Sequence, residues 1–327
     1  MSIQKIIGVA ALTGLCAIAA PNPAESQAKP PIIHVEQRSM EQMYQKALTK
    51  TGRIPNTKPF EEMVGRFPNA KQTHFLLGNV YLFSTHDARF KKARESYTRA
   101  LEIDPLFAAA SINRSVGIML NSQVETNKTF NQRTHELFEV GRELKKWTIG
   151  PKDIFSANYN YGIVQLLLNE HREAATYFER AVYAAQQINE YEPPTIMGEH
   201  RVERVYGPVC YTSTWLSQHT DKYWPSAEGG TLIQHHGFNY IFNNLDNHAF
   251  ANYFLALCLA NEKIGRWNTA LHYVDSAINY NKYVPEFFQL RALAKHHDGK
   301  KEDAKNDYRM YIDMKKFVQE RIQASRK

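Results

Sequence analysis

Apolar residues recur at helical spacing in two consecutive stretches near the end of the chain, and the second stretch repeats the first after 34 residues. Gly265 recurs as Gly299, and Ala270 recurs as Ala304. The first copy has one apolar set before Gly265 and another after it: Phe254, Leu257, Cys258 and Ile264, then Trp267, Ala270, Leu271, Val274, Ala277 and Ile278. A short helix with one apolar stripe buries that stripe only against a neighbour, so the pattern predicts stacked helix pairs.

Two earlier stretches combine small and large residues in the same pattern, the first with three more residues between its two helices and the second without insertion. The positions are Gly78, Tyr81, Ala93, Tyr97, Ala100 and Pro105 in one stretch, and Gly162, Ala174, Phe178 and Ala181 in the other. With the period of 34, this pattern resembles the tetratricopeptide repeat (TPR). The resemblance covers residues 71–105, 155–188 and 251–318, and it implies an all-α, TPR-like helical solenoid. Helical spacing without a good TPR match predicts two more helices, over 106–120 and 130–147.

Residues 190–250 interrupt the repeats with an aromatic-rich insert that contains Pro193-Pro194, Gly207-Pro208 and Gly229-Gly230. Near its end, Phe238, Ile241, Phe242 and Leu245 have helical spacing and predict a helix. Flat rings bind sugar faces or anchor a partner chain, and the candidates for such a role are Trp215, Tyr223, Trp224 and Tyr240. The alternative is that these rings pack the insert against the solenoid.

The first 28 residues have the features of a secretory signal peptide. Lys5 precedes an apolar run over 6–20, and Ser26-Gln27-Ala28 matches a small-x-small cleavage site. We therefore expect an exported protein, periplasmic or secreted, with membrane association only if the leader is retained. The predicted divisions are 1–28 signal peptide, 29–189 N-terminal repeats, 190–250 insert, and 251–327 C-terminal TPR pair with a capping helix.

The chain carries a formal net charge of +7. Its basic residues are spread along the sequence, which favours a solvated basic surface over a nucleic-acid site. Outside the leader, Cys210 and Cys258 either form one disulfide, as exported proteins permit, or Cys258 is a thiol buried at a small-residue TPR position. In the last unit, Arg291 and Lys295 replace Leu257 and Asn261, which predicts a polar outer face at the end of the solenoid.

The TPR resemblance implies a scaffold that binds peptides or proteins in a concave groove lined by the first helix of each pair. Carried over position by position, the groove residues are Phe75, Asn79, Phe83, Tyr159, Ile163, Leu167, Asn252, Leu255 and Leu259. The last unit adds Glu286, Gln289, Leu293 and His296. This lining lacks the Lys/Asn/Arg set by which chaperone-binding TPR domains hold a terminal carboxylate. The alternative is that these residues pack internally and bind nothing.

The sequence contains none of the motifs GxSxG, P-loop, GxGxxG or HExxH, so we predict no catalytic residues, metal or cofactor. The function that we predict is that of an exported scaffold with a protein or peptide partner. The alternative is an enzyme or carbohydrate-binding protein, with a glycan as a possible partner. Its pocket would lie between insert and solenoid, where Glu203, His235 and Cys210 would converge.

Overall fold

The computed structural model describes residues 57–83, 88–124, 128–149, 155–191, 224–225, 231–235, 238–242, 246–261 and 265–324, all within one compact unit. The helices are α1 Lys58–Arg66, α2 Lys71–Phe83, α3 Arg89–Ile103, α4 Ala108–Val124, α5 Phe130–Lys145, α6 Phe155–Leu167, α7 His171–Tyr191, α8 Asp246–Ala260, α9 Trp267–Tyr280, α10 Pro285–His297 and α11 Lys301–Ala324. Each packs on the next along the chain, which confirms the predicted all-α, TPR-like solenoid. The predicted leader lies outside the described residues.

Small residues let the two helices of a pair approach each other. An added Cβ on Gly78 would lie 2.6 Å from Tyr97 Cε1, and one on Gly162 would lie 2.9 Å from Phe178 Cε1. The other predicted small positions are fully buried: Ala93, Ala100, Ala174, Ala181, Cys258, Ala270 and Ala277. The repeat pattern therefore marks the close helix contacts, as predicted.

The turn between the two helices of a pair contains a residue in the left-handed backbone conformation at a fixed position. Asn169, Gly265 and Gly299 have φ angles of 65°, 57° and 80°, and each precedes the second helix of its pair by two residues. Glycine and asparagine are the residues that adopt this conformation at least cost. The turn geometry thus repeats together with the helices.

The solenoid continues directly across the insert. Helix α7, before the insert, packs on α8, which follows it. The ring of Phe254 in α8 stacks on Phe178 in α7 with centroids 5.5 Å apart, and lies 6.4 Å from Tyr159 in α6. Phe155 also meets His248 edge-on at 5.1 Å. We call the contact of α8 with α6 and α7 the seam. It joins the repeats before the insert and those after it into one stack.

The insert contains a three-stranded antiparallel sheet in the order β1-β2-β3, with β1 Trp224–Pro225, β2 Thr231–His235 and β3 Phe238–Phe242. The predicted helix from Phe238 is therefore wrong over residues 238–242. This segment also alternates with period two, and β2 pairs with it residue by residue from Thr231↔Phe242 to His235↔Phe238. Two residues separate the two segments in the sequence, a spacing that favours a hairpin and that the helix prediction did not take into account.

The backbone of β3 approaches helices α10 and α11, at the far end of the solenoid from α1. None of the helices in the described ranges is both long and apolar enough to cross a membrane.

Candidate functional site

Most of the predicted groove residues are buried inside the solenoid. Leu167 is the exception, with 49% of its surface exposed. The side chain of Phe83 lies outside the described residues. The buried members are Phe75, Asn79, Tyr159, Ile163, Asn252, Leu255 and Leu259. Their surfaces are taken up by neighbouring helices, and their role in binding stays a prediction.

Asn79 shows how such a residue is used in packing. Its Oδ1 accepts hydrogen bonds from the Tyr97 hydroxyl at 2.6 Å and from Asn113 Nδ2 at 2.9 Å. All three side chains are buried, and burial raises the pKa of Tyr97 well above its ordinary value. A buried polar group is costly unless it is hydrogen-bonded, so this triad fixes the alignment of α2, α3 and α4.

The insert residues singled out from the sequence cannot be assembled into a site. Trp215 and Tyr223 lie outside the described residues, as do Glu203 and Cys210. Trp224, Tyr240 and His235 lie in β1, β3 and β2, where the backbone is described but the side chains are not. Binding by the insert aromatics stays a prediction.

A pocket of about 690 Å³ lies at the end of the solenoid where β3 approaches. Its lining comes from α8, α10 and α11: Tyr253, Leu257, Glu286, Gln289, Leu290, Ala292, Leu293, His296, Lys301, Ala304, Lys305, Tyr308 and Arg309. All four positions that the TPR resemblance implied for the last unit, namely Glu286, Gln289, Leu293 and His296, are in this lining. This volume is within the usual range for a ligand site.

The pocket walls are mainly apolar, and two of their large side chains reach solvent. Leu293 is 46% exposed and Tyr308 is 51% exposed, and both line the pocket. Lys301, Lys305 and Arg309 follow one face of α11 at four-residue intervals and give this wall a positive charge. The groove prediction missed them because it considered first helices only, although their spacing is visible in the sequence.

Glu286 is the acidic residue among the pocket-lining side chains. Its Oε2 is buried and has no hydrogen-bond partner. Burial raises the pKa of Glu286 from its ordinary 4.5 to about 7, while its own backbone N–H and the charge of Lys315 act in the opposite direction. Burial therefore favours the neutral form of this carboxyl group.

Ion pairs hold the two pocket-forming helices together. Arg291 donates from Nη2 and Nε to the two carboxylate oxygens of Asp307, at 2.7 and 2.9 Å, and from Nη1 to Asp275 at 3.0 Å. Lys295 lies 2.8 Å from Asp307, which is itself buried. The predicted polar outer face is therefore wrong for Arg291 and Lys295. Both side chains are partly buried because the carboxylate of Asp307 on α11 faces them.

Metal-ligating side chains are not clustered in the part of the chain that the structure describes. In those ranges, no group of three or more His, Cys, Asp or Glu residues could hold a metal ion. Cys258 is fully buried at its small-residue position. The pocket has an apolar lining with a few charged side chains.

No family model and no curated protein matches the chain. Solved structures give weak likenesses. YrrB, described as a TPR protein with an unusual peptide-binding site, has a TM-score of 0.46 and 13% identity, over 83% of this chain and 100% of its own. MamA has a TM-score of 0.42 and 14% identity, over 70% of this chain and 90% of its own. A tetratricopeptide repeat protein from Parabacteroides merdae has a TM-score of 0.36 and 14% identity, over 90% and 100%.

Likenesses at these scores say nothing about what the chain binds. The solenoid assignment rests on the helix pairs themselves, with their buried small positions and repeated left-handed turns.

Proposed function

We propose that this protein is an exported, non-catalytic scaffold that binds a polypeptide partner in the pocket between α10 and α11. The observation that carries the proposal is the pocket of about 690 Å³ with apolar walls that reach solvent at Leu293 and Tyr308. Exposed apolar patches on soluble proteins commonly mark interaction sites. The helices around the pocket are held by Arg291 and Asp307, so the surface is preformed and binding costs little ordering.

Site-specific photo-cross-linking tests this proposal. A photoreactive amino acid replaces Leu293 in one variant and Phe130, which is 82% exposed on α5, in a control. After exposure to an envelope extract of the source organism, polypeptide adducts are expected from position 293 and not from position 130. Equal adducts from both positions, or none at 293 together with retention of the protein on a glycan matrix, would contradict it.

Export is the second part of the proposal and rests on the leader features of residues 1–28. Mass spectrometry of the protein recovered from its native source determines the N-terminus. We expect it to begin at Lys29, directly after Ser26-Gln27-Ala28. A chain that starts at Met1 and is recovered from the cytosol would refute export.

A further inference from the structure

Positive charge is spread along the α11 side of the pocket. Lys301, Lys305 and Arg309 all line the pocket from this helix, and all three are exposed to solvent. They recur every four residues, so the first and the last are separated by about 12 Å along the helix axis at 1.5 Å per residue. The cations therefore form a stripe along α11 rather than a cluster at one point.

The α10 side of the pocket does little to balance this charge. The exposed side chains that it contributes to the lining are those of Gln289, Leu293 and His296. Among the described residues that line the pocket, Glu286 has the one carboxyl group, and its burial favours the neutral form. The lining thus carries three lysine and arginine charges against at most one carboxylate.

The three cations are available to a ligand. Among the ion pairs of the described residues, none involves Lys301 or Arg309. Lys305 pairs with Glu302 at 2.7 Å in its own helix, but the two side chains are 64% and 82% exposed. An exposed pair of this kind contributes little, so the carboxylate of a ligand can replace Glu302 beside Lys305.

Apolar surface lies next to the stripe of cations. Tyr308 comes directly before Arg309 on α11 and is about half exposed, as is Leu293 on α10. Leu257 and Leu290 are further apolar members of the lining. A ligand that pairs with the cations is therefore placed to cover apolar side chains as well, and their burial adds to affinity.

We propose that the occupant of the pocket is an acidic polypeptide segment, whose carboxylates pair with the cations of α11 and whose large apolar side chains cover Leu293 and Tyr308. This inference rests on the proposed function and names the chemistry of its partner. A fatty acid carries its charge at one point and cannot meet cations spread over about 12 Å. A polypeptide with several Asp or Glu residues among apolar ones supplies both kinds of contact.

Fluorescence anisotropy on the full mature chain tests the proposal with four peptides. The acidic peptide has Glu residues interspersed with Leu and Phe. Gln replaces every Glu in the second peptide, Lys replaces every Glu in the third, and Ser replaces every Leu and Phe in the fourth. We expect the acidic peptide to bind at least about tenfold more tightly than each of the others at low salt, and to lose this advantage as salt is added. Equal binding of the acidic peptide and any of the other three would overturn the proposal.

A pair of matched substitutions on α11 assigns the contact. Lys305→Glu is expected to weaken binding of the acidic peptide about tenfold and to strengthen binding of the Lys peptide. Lys316→Glu is the control, because Lys316 is also an exposed lysine of α11 that pairs with a glutamate of its own helix, but it does not line the pocket. Both variants change the net charge equally, and circular dichroism establishes that each is folded. Equal losses of affinity in the two variants would overturn the contact assigned to Lys305.

Two outcomes separate this inference from the function on which it rests. If position 293 cross-links to polypeptides but the four peptides bind equally, the scaffold proposal stands and the acidic partner is wrong. If a fluorescent fatty acid binds the pocket more tightly than the acidic peptide and displaces it, the occupant is a lipid and both proposals fail.

Discussion

Replacing Gly78 with alanine tests how closely the helices of a pair approach. The added methyl group would lie 2.6 and 2.7 Å from Cε1 and Cδ1 of Tyr97, closer than real carbon atoms approach. Tyr97 is fully buried and its hydroxyl donates to Asn79, so the ring has little freedom to move. The change must therefore shift α2 against α3 or break that hydrogen bond.

The expected change in the free energy of unfolding is the sum of one stabilising and two destabilising contributions. Alanine is favoured over glycine inside a helix by about 1 kcal/mol. Overpacking costs about 1–3 kcal/mol, and loss of the Tyr97–Asn79 hydrogen bond costs about 1 kcal/mol more. We expect the free energy of unfolding to fall by about 1–3 kcal/mol. Urea denaturation followed by circular dichroism measures it.

Gly117→Ala is the matched control within α4. Its added methyl group would have Leu82 Cδ1 as its nearest neighbour, at an ordinary 3.6 Å. We therefore expect this variant to be stabilised by about 0.5–1 kcal/mol, because only the helix preference changes. In a Tyr97→Leu background, Gly78→Ala should also lose most of its cost. Stabilisation by Gly78→Ala in the original chain would refute the close approach of these helices.

Two further changes probe the end of the solenoid by chemical denaturation. Arg291→Leu leaves the buried Asp307 with Lys295 alone and should lower the free energy of unfolding by about 2 kcal/mol. Arg142→Ala removes the exposed Arg142–Glu139 pair and should change the free energy of unfolding little. Equal effects would contradict the ion-pair account. The pKa of Glu286 is about 7 in the folded state and 4.5 ordinarily, so the folded state holds the proton more tightly. The free energy of unfolding should therefore fall by on the order of 2 kcal/mol as the pH rises from below 4.5 to above about 7. Glu286→Gln should remove this slope, and an unchanged slope would refute it.

The sequence was sufficient for the repeated helix pairs because their geometry is set locally. Gly162 and Ala174 are small where helices touch, and Gly299 follows a helix where a left-handed turn is needed. Such requirements depend on a few residues at fixed spacing, and they remain visible without any knowledge of distant contacts.

The site was harder to predict because it depends on which helices meet. A groove position such as Leu255 is buried when the neighbouring helices are close, while Leu293 is half exposed because it belongs to the last unit. The pairing of Arg291 with Asp307 joins residues 16 positions apart on different helices. The strand at Phe238 was missed because its five residues fit both a helical and an alternating pattern, and pairing with β2 decides between them.

One helical stack continues across the insert through the seam. Amide hydrogen exchange in a Phe254→Ala variant tests this continuity most directly. Phe287→Ala is the control, since Phe287 of α10 is also fully buried but is in ring contact with Phe250 and Tyr253 rather than with α6 or α7. We predict faster exchange in α6 and α7 for Phe254→Ala and a much smaller change there for Phe287→Ala. Unaltered exchange in α6 and α7 when Phe254 is removed would show that the two halves are separate bodies.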